Sequence, residues 1–357
     1  MEDMDYITIL EASGKWKLSQ QQVQNLCVRG LVEGAVQAGR AWLIPKNAEK
    51  PIFEKPKRTN KKDLDTSSTF ISTTPSFLHS INLYTASRSA DAVICSLADK
   101  PQAQAFFAAT IAYCRGEMAS ARDYAKYLAS SASDLYSINT SSFLLALVAI
   151  WEGDISLYQG AKERIRRARC KTIEEQLIVE LFSACIDSTL QPLSIENYPQ
   201  WFRQGKFEQL PSDCLPCVNV LYIRFLMLAA EHSEAQPSFW GISGKKFMHI
   251  IPNIAEPLLA RIVADKLVIP EIHLRLLVAC VYHQLGDNER AISHIDKAIE
   301  LALPDNLLGI LAEHRRELSD LLDERLFIIN PQACERYKEL HKGFLEGWSK
   351  LYNALFR

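Results

Sequence analysis

Three stretches of this 357-residue chain share one register, and that register restricts most of its length to paired helices. "AATIAYCRGEMASARDYAKYL", "ALVAIWEGDISLYQGAKERI" and "ACVYHQLGDNERAISHIDKAIELALP" align on Gly116, Gly153 and Gly286. An alanine stands seven residues before each glycine (Ala109, Ala146, Ala279), and five residues after it stand Ala121, Tyr158 and Ala291. Small residues at such positions let two antiparallel helices approach closely, and glycine makes the turn between them. From Ser76 onward apolar residues recur at helical spacing, and no alternating strand pattern lasts beyond a few residues. The expected fold class is mainly α.

The third segment resembles a tetratricopeptide repeat, with Ala298 and Pro304 also at family positions. The second departs at Tyr158, and the first two glycines lie 37 residues apart, against a repeat of about 34. "LGDNERAISHIDKAIELALPDNLLGILAEHRREL" is also similar to the helical sensor region of large LuxR-type regulators of the maltose-activator kind. Those regulators carry a second helix-turn-helix at the C-terminus. Here the chain ends at Arg357 after one amphipathic helix with Tyr337, Leu340, Phe344, Trp348, Leu351 and Leu355 as its apolar stripe. That stripe is a candidate homodimer surface, or else the cap of the last hairpin. In stacked hairpins the first helices line a concave face, which makes Tyr113, Trp151 and Tyr282 the candidate contacts for a small-molecule or peptide effector. The alternative is that these aromatics fill the core.

The first fifty residues follow different rules. Thr8-Ile9-Leu10-Glu11 fits a capping box, as does Ser19-Gln20-Gln21-Gln22, so two short helices are expected, joined by "KWKL". On the second helix Val23, Leu26 and Cys27 share one face, with Gln21, Gln24, Asn25, Val28 and Arg29 opposite. "VQAGRAWLIPK" then reads as a small hairpin turning at Ala38-Gly39-Arg40 and ending at Pro45. From Tyr6 to Pro51 the pattern resembles the winged helix-turn-helix modules of the excisionase and MerR-like families. It is carried by Glu11-Ala12, Ser19, Val23, Gly30, Gly39-Arg40 and "WLIPK". The resemblance implies that the second helix enters the major groove of double-stranded DNA, that Arg40 reaches DNA from the wing, and that Trp42 and Ile44 pin the hairpin. The DNA-binding set is then Ser19, Gln20, Gln21, Gln24, Asn25, Val28, Arg29, Arg40 and Lys46. Glutamine and asparagine can bond adenine bidentately, and valine can touch a thymine methyl.

Charge points the same way. Residues 1–62 hold 11 Lys/Arg and 7 Asp/Glu, net +4, and the remainder is net −6. A basic head on an acidic body meets a polyanion with its head, and the acidic body favours a cationic or neutral effector. Residues 52–75 carry a lysine-rich run followed by a Ser/Thr-rich one, the composition of a linker. The expected domains are 1–51, the linker 52–75, and a tetratricopeptide-like helical domain at 76–357.

Catalytic signatures fail on spacing. "CLPC" (Cys214 to Cys217) lacks a second ligand pair for zinc and reads as a loop with two inert thiols. "GISGKK" lacks the spacing and hydroxyl residue of a phosphate loop. His273, His283 and His294 are too widely spaced for a one-face metal pair, and the acidic pair Glu174-Glu175 points to different sides of a helix. No cofactor, metal or enzymatic activity is expected. Scattered cysteines and the lack of a leader suggest a cytoplasmic protein. "FLLALVAIW" is too short to span a membrane and suits a buried helix. The expected function is a bacterial-type transcriptional regulator, with a helical protein-interaction scaffold and an excisionase-like architectural factor as alternatives.

Overall fold

A computed structural model describes residues 6–20, 23–24, 27, 32, 35–38, 41–50, 84–132, 134–191, 194–235 and 244–357. The chain divides into two compact units, Met1–Ser72 and Thr73–Arg357. It is mainly α.

In the first unit β1 (Tyr6–Thr8) leads directly into α1 (Ile9–Trp16). The expected capping box forms there. Glu11 N donates to Thr8 Oγ1 at 3.3 Å and Thr8 N donates to Glu11 Oε2 at 2.8 Å. The bond from Thr8 N, and one from the Thr8 hydroxyl to the same Oε2, hold the exposed Glu11 carboxyl below its usual range. β2 (Val36–Ala38) and β3 (Ala41–Pro45) pair antiparallel, Ala38 opposite Ala41. The sequence reading had no β1, which pairs with the other edge of β3 (Ile7 opposite Ile44) and gives sheet order β1-β3-β2. A lone hairpin is marginal in water; the third strand and a small core supply its support. Ala12, Trp16, Val23, Cys27, Val32 and Ile44 form that core, with Trp42 half-buried against it. Lys15 Nζ ties α1 to the end of the sheet by donating to the Lys46 and Ala48 carbonyls at 2.6 and 3.0 Å.

The second unit begins with α2 (Ala90–Ser96) and continues as α3 (Pro101–Arg115), α4 (Met118–Ser131), α5 (Leu135–Glu152), α6 (Ile155–Arg166) and α7 (Ile173–Leu190). Beyond three short helical segments (Ile195–Asn197, Gln200–Arg203, Ser212–Cys214) comes α8 (Leu215–Ala235), and after a fourth (Gly244–Met248) come α9 (Ile251–Ala264), α10 (Val268–Gln284), α11 (Asn288–Ala302), α12 (Leu308–Ile329) and α13 (Pro331–Phe356). The three aligned glycines close three helical hairpins: α3 with α4, α5 with α6, α10 with α11. Each has positive φ (81° at Gly116, 65° at Gly153, 79° at Gly286), which a side chain would strain. The register residues Ala109, Ala146, Ala279, Ala121 and Ala291 are fully buried, and Tyr158 is buried as well.

Side-chain caps start five of these helices: Asp134, Asp154, Thr172, Asp287 and Asn330 each accept a backbone N–H three residues on. Glu175, read from the sequence as half of an unremarkable acidic pair, completes a capping box with Thr172.

Two expectations are refined. The stripe on α13 does not stand open: Tyr337, Leu340 and Leu351 are buried, and Phe344, Trp348 and Leu355 pack against the same core. Trp348 Nε1 donates to the Thr189 and Leu190 carbonyls at 3.2 and 2.9 Å, and the Phe344 and Trp151 rings lie 4.9 Å apart. The stripe is covered from within the chain, which is the capping arrangement. Second, the "FLLALVAIW" stretch belongs to an 18-residue helix, α5, that is long and apolar enough to cross a membrane. So is Lys246–Ala264. The α5 window is 78% buried, so the protein core already accounts for its apolar surface.

Candidate functional site

A cavity of about 150 Å³ lies among the helices of the second unit. Six helices wall it: α3, α5, α7, α8, α10 and α12. Most of its surface is apolar, from residues such as Phe143, Leu144, Leu147, Leu221 and Ile269. Its charged and strongly polar groups are Tyr113, Arg224, His273 and Glu313.

Tyr113, on α3, donates its hydroxyl to Glu313 Oε1 on α12. Trp151, at the end of α5, donates its indole N–H to the Tyr113 hydroxyl at 3.1 Å and to Glu313 Oε1 at 3.4 Å. The Tyr113 and Trp151 rings meet edge to face at 6.2 Å. Burial raises the Glu313 carboxyl above its usual range, opposed by the bond from Tyr113, the charge of Arg224 and the bond from Trp151. Burial and the neighbouring carboxylate push the Tyr113 phenol well up.

His273, also on the cavity lining, shares a hydrogen bond of 3.0 Å between its Nδ1 and His314 Nε2. Burial, then the charge of Arg224, lowers His273 to about 3; the same causes, with His273 itself, hold His314 well below its normal value. Both rings are neutral at pH 7. Arg224 makes no hydrogen bond and no ion pair among the described residues.

The candidate effector contacts thus separate. Tyr113 lines the cavity and Trp151 braces it, joined by one hydrogen-bond network. Tyr282 does not belong there. Its hydroxyl donates to Glu256 at 3.0 Å, its ring stacks on His294 at 5.7 Å, and Arg290 lies over it at 5.4 Å. Arg224, Glu313 and the His273–His314 pair escaped sequence reading. The His273–His314 pair spans 41 residues and Glu313 meets Tyr113 200 residues away, with no spacing to signal either.

Cys217 is not in a loop as expected. It stands in the first turn of α8 and lines the cavity, where burial pushes its thiol well above the normal range. Burial likewise lifts Cys185 to about 12. Thiols held protonated are poor nucleophiles, so the wall is suited to holding a molecule rather than attacking one. His283 lies apart, its Nδ1 against Asn288 Oδ1 at 2.9 Å. No group of three or more His, Cys, Asp or Glu among the described residues could hold a metal ion.

Of the DNA-binding candidates, Ser19, Gln20, Gln24 and Lys46 are described, and all four are exposed. Gln20, Gln24 and Val23 are helical, Val23 N donating to Ser19 O at 3.0 Å, while Val23 and Cys27 are buried on the other face. Gln21, Asn25, Val28, Arg29 and Arg40 lie outside the described residues. Compared with known proteins, the chain matches no family model, no curated sequence and no solved structure.

Proposed function

We propose that this chain is a DNA-binding transcriptional regulator whose helical unit holds a small effector in its cavity. One observation carries the DNA part. In a small unit with its own core, the helical residues Val23 and Cys27 are buried while Ser19 and the helical Gln20 and Gln24 are exposed, within a stretch of net charge +4. A polar helix face rich in amide side chains suits major-groove readout, and a basic unit suits the phosphate backbone. In this reading the hairpin β2–β3 is the wing, and the helical hairpins form the tetratricopeptide-like sensor.

The purified full chain should retain genomic fragments, with an affinity that falls steeply as salt rises. Arg40→Ala should weaken binding to every sequence. Gln24→Ala should instead relax discrimination at one base pair, by about 1–3 kcal/mol. No retention at low salt sinks the regulator reading. An effector regulates only if it binds the DNA-competent and incompetent states with different affinity.

The second reading, a scaffold for a protein partner, has one observation in its favour. Phe327, Ile328 and Ile329 are consecutive and 55, 59 and 44% exposed at the end of α12. A chain that retains no DNA yet co-purifies stoichiometrically with another protein, and loses it on Phe327→Ser, would replace the first reading with this one.

A further inference from the structure

Within the cavity, one charge is provided for and one is not. Glu313 Oε1 accepts from both Tyr113 and Trp151. Arg224 lines the same apolar space, is only partly exposed, and has no hydrogen-bond or ion-pair partner among the described residues. A guanidinium cannot shed its proton, and it presents five N–H donors. Leaving such a cation unpaired on an apolar wall is costly, so the site is incomplete as it stands.

A second donor converges on the same space. His273 Nδ1 is engaged by His314 Nε2 at 3.0 Å, so only His273 Nε2 remains for the cavity. His314 is fully buried and its Nδ1 has no partner. A proton on that Nδ1 would be a buried N–H without an acceptor, the costlier of the two arrangements. The better tautomer puts the His314 proton on Nε2, donating to His273 Nδ1, and therefore puts the His273 proton on Nε2. Both free donors, Arg224 and His273 Nε2–H, then call for an acceptor that carries negative charge.

Size and charge narrow the class. A cavity of about 150 Å³ admits a molecule near the size of benzene. One arginine matches one carboxylate bidentately, whereas a phosphate dianion would meet a single cation with the Glu313 carboxyl close by. The net negative charge of the whole unit, which from sequence favoured a cationic or neutral effector, is outweighed locally by Arg224, since distant surface charges are screened.

We propose that the cavity binds a small monocarboxylate, its carboxylate on Arg224 and His273 and its apolar ring or chain among Phe143, Leu147, Leu221 and Ile269. The proposal rests on reading this cavity as the effector site, but its test does not involve DNA. Benzoate and hexanoate are titrated calorimetrically into the full chain, beside their neutral counterparts benzamide and hexanamide. At least one acid should bind ten-fold or more tightly than its own amide. Arg224→Met should erase that ratio while leaving thermal stability equal or higher, because the replaced group makes no hydrogen bond or ion pair among the described residues that would be lost. Equal binding of acid and amide, no binding of any of the four, or a ratio that survives Arg224→Met would each overturn the proposal. Loss of DNA retention with carboxylate binding intact would remove the regulator reading and leave this one standing.

Discussion

At the residue scale, glycines with similar sequence surroundings do opposite work. Gly347 on α13 lies where a Cβ would overlap the Trp151 carbonyl oxygen, so two backbones touch there. Gly160 on α6 is exposed, and a Cβ there would meet nothing within 4 Å. Gly347→Ala should therefore cost about 1–3 kcal/mol or more by overpacking, visible as a lowered melting temperature. Gly160→Ala should add about 0.4–1 kcal/mol by restricting the unfolded chain. Equal effects of the two would show that α13 does not press on α5. Both glycines sit mid-helix in amphipathic stretches, and nothing local separates them. The turn glycines differ: Gly116, Gly153 and Gly286 were legible because each ends one apolar helix and precedes another, a purely local requirement.

At the element scale, local signals decide where helices start, and long-range contacts decide what covers them. The Thr8–Glu11 box was readable because both of its partners lie within one helical turn. The Thr172–Glu175 box obeys the same pattern, with Lys171 N and Thr172 N both donating to Glu175 Oε2. Thr172→Ala should destabilise the helical unit by about 0.5–2 kcal/mol, measured by urea denaturation followed by circular dichroism. Thr172→Asp should recover most of that loss, and no difference between the two substitutions would remove the cap from the account of α7. α13 shows the other limit. Its apolar stripe was plain in the sequence, but its covering came from Trp151 and from the carbonyls of Thr189 and Leu190, about 150 to 200 residues upstream. β1 was missed for a related reason. Three residues are too few to show a period, and its strand character comes from pairing with β3.

At the scale of the whole molecule, the helical unit stores neutral histidines where no local pattern requires them, and this gives its stability a definite pH dependence. His273 is lowered to about 3 and His314 well below normal, each chiefly by burial and then by Arg224; Glu313 lies on the same cavity wall. Unfolded, both imidazoles would titrate near 6.5. As pH falls below that value the unfolded chain takes up protons that the folded chain refuses, so folding is disfavoured. The sign is fixed: stability is highest above about pH 6.5 and declines as pH falls toward the folded values. Each imidazole contributes a slope of up to about 1.4 kcal/mol per pH unit, so up to about 2 kcal/mol each between pH 6.5 and 5. His294 and His341 are lowered too and add in the same direction. Glu313, raised by burial, acts oppositely just above 4.5, where its folded form holds a proton that the unfolded chain has released. Urea denaturation by circular dichroism at pH 7.5 and pH 5 should therefore show a large loss in the parent chain. In the double variant His273→Phe, His314→Leu the loss should be smaller by up to about 4 kcal/mol. If the double variant loses as much as the parent, these two rings are not held neutral by the fold, and the tautomer argument that directs His273 Nε2–H into the cavity falls with them.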